Sequence, residues 1–168
     1  MNSNNPIQSK FSSDIKDSYE KGFLFEQFIV MLFNERHFHL QEWRQSKKVD
    51  DISTLINHGN PDLELIFSGS KKYRFAVECK WKAEFKDGKI EWASKSKIDR
   101  YTKFENEKRI PVFVAIGIGG EPSNPEKLFV TPLCNISNQS EVYESALIPY
   151  SRKPSRRFFF DTVQLRLW

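Results

Sequence analysis

"NPDLELIFSGSKKYRFAVECKWK", Asn60–Lys82, decides how this chain is read. Two runs of alternating apolar residues flank Ser68-Gly69-Ser70-Lys71, the pattern of a β-hairpin with one buried face. Pro61 stands where the first strand would begin, a position that needs no ladder donor. In the second run Tyr73, Phe75, Val77, Cys79 and Trp81 share one face, and Arg74, Ala76, Glu78, Lys80 and Lys82 share the other, because strand side chains alternate. A three-residue loop, Gly69–Lys71, pairs Ser68 with Lys72. Counting outward then sets Asp62 opposite Glu78, and directly opposed residues share a face with Cβ atoms about 5 Å apart. Two carboxylates so placed repel each other unless something positive lies between them. Lys80, on the same face as Glu78, is one candidate. A hard divalent cation, Mg²⁺ or Mn²⁺, is the other, with water and a substrate phosphate filling its remaining positions. An ordinary hairpin with a wet, charged face would show the same alternation.

Upstream, SYEKGFLFEQFIVMLFNE, Ser18–Glu35, reads as a helix that is apolar nearly all round and therefore well buried. Glu26 lies on that surface, with Gly22, Phe23, Ile29 and Val30 at helical spacing. A carboxylate there needs a partner. A Lys or Arg, a partly exposed helix edge, or the acidic face of the hairpin would each serve, and in the last case Glu26 adds to the cation's shell. His37–Gln45 reads as a weak strand, and Asp50–His58 as a short helix or loop. Downstream come a short third strand, Lys89–Trp92, and a helix over Ser94–Arg109 with Ile98, Tyr101 and Phe104 on one face. PVFVAIGI, Pro111–Ile118, has the continuous apolar character of a strand covered on both sides. Lys127–Val130 and Arg157–Trp168 read as further strands. The order makes an α/β sandwich around a mixed sheet.

The 168 residues, 39% of them apolar and 15 of them Phe, suit one compact domain with a real core and argue against a disordered chain. Residues 1–17, beginning MNSNNPIQSKFSSD, lack the apolar stretch of a secretory signal and read as a flexible tail ahead of a single domain over 18–168. There is no membrane-spanning run. Two cysteines, Cys79 and Cys134, give neither a disulfide framework nor a zinc spacing, so a reduced, cytoplasmic setting is expected. The net charge of +4 is modest, but cations gather at Lys47–Lys48, along Lys95, Lys97, Arg100 and Lys103, and at Arg152, Lys153, Arg156 and Arg157. His37, His39 and His58 follow no metal-binding spacing, and the glycines of IGIGGEPSNPEK no phosphate-loop pattern.

Pro61-Asp62 followed by Glu78-Cys79-Lys80 across a hairpin, with a Glu-bearing helix before it and a helix and apolar strand after it, resembles the PD-(D/E)xK nuclease superfamily. The resemblance covers about Ser18 to Val130. It implies a restriction-endonuclease-like αβββαβ core, a mixed central sheet flanked by helices, and metal-dependent hydrolysis of DNA phosphodiesters. The layout is similar to Holliday-junction resolvases and Mrr-type restriction domains. Lys97 to Tyr101 matches the spacing of a Gln-x-x-x-Tyr signature of some exonuclease members, with lysine in place of glutamine. Carried over residue by residue, Asp62, Glu78 and the backbone carbonyl of Cys79 would ligate Mg²⁺ or Mn²⁺. Lys80 would hold and polarise the attacking water, and Glu26 would orient a metal-held water or bind a second metal. Lys82, Lys95, Lys97, Arg100 and Lys103 would touch DNA phosphates. Cutting both strands would suit a homodimer, and the Phe-rich end could pack at its interface or, as the simpler account, form a terminal core strand. The alternative is a domain of the same fold that binds nucleic acid without cutting it.

Overall fold

The computed structural model describes residues 6–44 and 59–168, with side chains from residue 17 onward. The Lys47–Lys48 pair and the Asp50–His58 segment, His58 included, lie outside the described residues. So do the first five residues.

Helix α1 spans Pro6–Leu32. It starts well before Ser18, so most of the expected tail is helical. Pro6 suits a first helical turn, and Ile7, Phe11 and Ile15 recur at a four-residue period among the polar residues that mask it. Its burial is one-sided: Phe25, Ile29 and Leu32 are buried, while Met31 is 75% exposed. The strands that follow are β1 (Phe38–Trp43), β2 (Leu63–Ser68), β3 (Lys72–Lys82) and β4 (Lys89–Glu91). Helix α2 (Lys95–Lys108) leads into β5 (Val112–Ile118) and β6 (Lys127–Pro132). After them come β7 (Glu141–Tyr143), the one-turn α3 (Glu144–Leu147), β8 (Ser151–Arg152), β9 (Phe160–Asp161) and β10 (Arg166–Leu167).

Six strands form one sheet in the order β1-β2-β3-β5-β6-β8. Only β3 and β5 run parallel within it, joined by the crossover through α2, so the sheet is mixed. Every residue of β5 is buried, as its unbroken apolar run requires of a central strand. The hairpin has the expected register, from Ser68↔Lys72 to Leu63↔Val77. Phe75, Val77 and Cys79 enter the cluster beneath α1, and Ala76 enters the one beneath α2, so the two faces of β3 alternate as expected. α1 packs closely over β5: a Cβ on Gly117 would lie 2.4 Å from the Phe25 ring. That contact sets the depth at which the next residue, Glu26, is held.

Two expectations are corrected. The short strand β4 exists, but it pairs with β7 in a separate two-stranded sheet rather than extending the hairpin. The C-terminal segment reaches the core as expected, with Phe158, Phe160 and Leu167 buried there, but as a hairpin of β9 and β10 rather than a single strand. The Asp161 carboxylate accepts the N–H groups of Val163 and Gln164 at 2.8 and 2.9 Å, which turns the chain back on itself. The hairpin lays Phe160 flat on Phe75, with ring centroids 5.1 Å apart.

Candidate active site

The hairpin ladder stops at Leu63↔Val77, whereas β3 continues beside β5 as far as Lys82. The two strands therefore part at Asp62, one position past the last pair and level with Glu78. On the β2 side of β3 this leaves the Cys79 N–H without a strand partner. The Asp62 carboxylate takes it at 2.8 Å. In a strand the N–H and C=O of one residue point to the same side, so the Cys79 carbonyl opens into the same fork. Its thiol is buried in the cluster beneath α1, and burial together with the nearby acids pushes its proton affinity up.

Four of the sequence-nominated groups meet at this fork. Lys80 Nζ lies 3.9 Å from a Glu78 oxygen. Glu78 is buried, and its second oxygen, Oε2, has no hydrogen-bond partner among the described residues. Asp62 keeps an opening to solvent but is surrounded by protein. Burial first, then Glu78 and Glu26, push its proton affinity well above the usual carboxylate range, against the opposing pull of the Cys79 N–H and Lys80. Glu26 reaches in from α1, also buried. Burial and then Glu78 raise its pKa to about 7, although Trp43 Nε1 donates to it at 2.6 Å and favours the charged form. The shared cause is three acids in a poorly solvated place with one lysine among them.

Two further residues, Trp43 and Arg44, were not among the sequence candidates. Trp43 holds Glu26, and its ring stacks on Phe23 at 5.6 Å. Arg44 clamps the approach to Asp62: its backbone N–H donates to the Asp62 carbonyl at 2.7 Å, and its guanidinium donates to the Pro61 carbonyl at 2.9 Å and to Glu64 at 2.9 Å. A register shift between Leu40 and Glu42 brings Trp43 level with Leu63. That irregularity has no sequence signature, and it determines what the end of β1 touches. Tyr101 is buried with Ile98 and Phe104, as its spacing suggested. Its hydroxyl also faces Glu78, and burial and that carboxylate keep the phenol protonated.

A divalent cation fits this donor set. The ligands on offer are hard oxygens, one of them an orphaned buried carboxylate oxygen, and their mutual repulsion is relieved by a positive charge. The acids converge without closing: among the described residues no three acidic, His or Cys groups are drawn into a ready cage. Of the expected phosphate contacts, Lys82 is half-buried beside Lys80 and its proton affinity is lowered, by burial first. Lys97 is half-buried one turn before Tyr101. The stem of Arg100 lies against Gly59, near the approach to Asp62. Lys95 and Lys103 are exposed and engaged along α2, with Asp99 at 2.8 Å and Glu107 at 3.7 Å. His37 and His39 are exposed and take no part.

No family model matches the chain, and no curated protein matches it. Among solved structures, Hjc, a Holliday junction resolvase from Archaeoglobus fulgidus, superposes with a TM-score of 0.54 at 15% sequence identity. The match covers 79% of this chain and 95% of that one. The fold, a central mixed sheet flanked by helices, is restriction-endonuclease-like.

Proposed function

We propose that the chain is a metal-dependent DNA endonuclease of the PD-(D/E)xK type, acting on branched or duplex DNA. The carrying observation is the fork itself: Asp62, Glu78 and Glu26 converge with Lys80, and their negative charge is left uncompensated by the protein. The resolvase named for the structural neighbour has the same fold and favours a branched substrate.

In this reading Asp62, Glu78 and the Cys79 carbonyl hold Mg²⁺ or Mn²⁺. When bound, the metal neutralises charge gathering on the phosphoryl oxygens and acts as a Lewis acid. Lys80 holds the attacking water in line with the scissile phosphorus, and the P–O bond on the far side breaks. Glu26, buried and held by Trp43 Nε1, orients water in the fork and is placed to take its proton. Tyr101 and Arg44 are positioning residues: the first meets Glu78, the second fixes the backbone that carries Asp62. Lys82, Lys97 and Arg100 approach the phosphates on either side. A homodimer supplies the two sites that cutting both strands requires.

The test uses supercoiled plasmid and a synthetic four-way junction with Mg²⁺ or Mn²⁺. Wild-type protein nicks or cuts at least one of them and stops in EDTA. Lys80→Ala and Asp62→Ala each lose on the order of 10³-fold in rate with unchanged circular dichroism. Cleavage that survives both substitutions sinks the assignment. DNA binding without cleavage of any substrate leaves the non-catalytic module in its place.

A further inference from the structure

A second concave surface lies three strands across the sheet from the acidic fork. Arg152 sits on β8, the edge of the main sheet opposite β1. It pairs with Leu128 on β6, and its guanidinium stacks over Phe158 at 4.0 Å on the α1 side. Three strand steps separate β8 from β3, about 14 Å, and Glu78 points to the other face. Between β6, β8 and the C-terminal hairpin is a cavity of about 500 Å³. That is within the usual range for small-molecule sites, about 300–1,000 Å³.

Its charged side chains are all cationic. Arg152, Lys153, Arg156, Arg157 and Arg166 contribute cations and no Asp or Glu takes part. Among the described residues none of the five lies within ion-pair distance of a carboxylate. Arg152 is the most committed of them. One nitrogen donates to the Arg156 and Arg157 carbonyls, whereas Nε and Nη1 are buried without a partner. Burial, and then Arg156, push its pKa down to about 10. A cation that the protein buries without a counter-charge is costly, and an anion in the cavity would relieve it. Beside the cations stand two aromatic rings that the fold leaves open: Phe159 at 62% and Trp168 at 48% exposure. The Arg166 guanidinium lies 5.5 Å above the Trp168 ring.

We propose that this cavity binds a nucleoside monophosphate unit, with the phosphate among Lys153, Arg156 and Arg157 and the base stacked on Trp168. Cations place a phosphate but cannot favour a nucleotide over any other anion. The open aromatic surface makes that distinction, since any base can stack on an exposed ring and inorganic phosphate cannot. The unit can arrive as a free nucleotide or as one residue of a DNA strand. The two differ only in what is attached to the phosphate.

The experiment needs neither a metal nor cleavage, so its outcome is independent of the nuclease reading. The 168-residue chain in EDTA is titrated calorimetrically with inorganic phosphate, with dAMP, and with a 5′-phosphorylated deoxytrinucleotide. Expected is saturable dAMP binding at least tenfold tighter than phosphate. The exposed double substitution Arg156→Glu with Arg157→Glu weakens it at least tenfold while the melting temperature holds. Trp168→Leu brings dAMP down to the level of phosphate. A trinucleotide that binds more tightly than dAMP identifies a DNA strand as the source, and equal affinities identify a free nucleotide. The proposal is overturned if neither nucleotide saturates, if phosphate binds as tightly as dAMP, or if the double substitution leaves dAMP affinity unchanged.

Discussion

Glu64 and Asp62 stand two residues apart at the start of one strand, and the fold treats their charges in opposite ways. Glu64 is buried, and burial alone would raise its proton affinity. Arg44 and Arg74 close on it, and the net effect is a lowered pKa. Asp62 receives a backbone N–H and a share of Lys80, faces two further acids, and stays well above the carboxylate range. Arg44 touches both neighbourhoods, yet its charge goes to Glu64 while Asp62 receives only a clamp on its backbone. One carboxylate is thus a finished structural contact, and the other is left short of positive charge. Such an imbalance marks a place where the folded chain is arranged for something other than its own stability.

The largest effects test that contrast directly. Arg44→Ala removes the better buried of the two cations on Glu64 and should destabilise the protein by about 3 kcal/mol, as breaking a buried pair does. Asp62→Asn keeps an oxygen for the Cys79 N–H and removes a repelled charge. It should stabilise the metal-free protein by about 1 kcal/mol, the scale of relief seen when functional strain is removed. Urea unfolding in EDTA near pH 7.5 measures both. If both substitutions destabilise, the two acids are equivalent and the contrast fails.

The pH dependence of stability sharpens the comparison, because the two sites carry opposite signs. Glu26 binds its proton more tightly folded than unfolded, with a pKa of about 7 against an ordinary 4.5. Across that window the folded state holds more protons, so stability declines as pH rises from about 4.5 to about 7, and Asp62 acts in the same direction. Glu64 has a lowered folded pKa, so its contribution is present above the ordinary carboxylate range and is lost as pH falls through it. Melting temperatures in EDTA should therefore fall on both sides of a mildly acidic maximum. Glu26→Gln should flatten the upper side alone, and Mg²⁺ should raise the melting temperature most at pH 8. An upper side unchanged by Glu26→Gln would place the strain elsewhere.

How much of this was legible beforehand follows from what each residue depends on. Asp62 and Glu78 could be paired from sequence because a hairpin register is local: it needs only the loop length and the alternation. Glu26 could be nominated because a charge on an apolar helix face is conspicuous. Trp43 and Arg44 could not, since a register shift in β1 brings them to the site. The place of β4 was equally hidden, because its partner β7 lies about fifty residues downstream and nothing in three residues announces it. The early start of α1 was obscured by serines and aspartates, which are weak helix formers, although the four-residue repeat beneath them was present. At the C-terminus, Phe-rich alternation fits a sheet strand and a folded-back hairpin equally well, and the Asp161 turn selected the second.

The smallest effects concern the lysines of α2, where the same distinction between engaged and unengaged charge applies. Lys95 and Lys103 are exposed and already paired with acids one turn along the helix. Pairs of this kind contribute roughly 0.3–0.5 kcal/mol to stability and are easily screened. Releasing one to a phosphate gives up part of what the contact gains. Lys97 is half-buried, forms no such pair among the described residues, and sits a turn from the tyrosine that faces Glu78. Junction binding measured in Ca²⁺ at several salt concentrations should separate them. Lys97→Ala should lower the slope of log affinity against log salt by about one, the loss of a single phosphate contact, and Lys95→Ala by much less. Equal losses would mean that the backbone runs along the whole outer face of α2. The DNA would then be held by the helix as a basic surface, and the fork would be approached from the solvent side of the sheet's end rather than past Lys97.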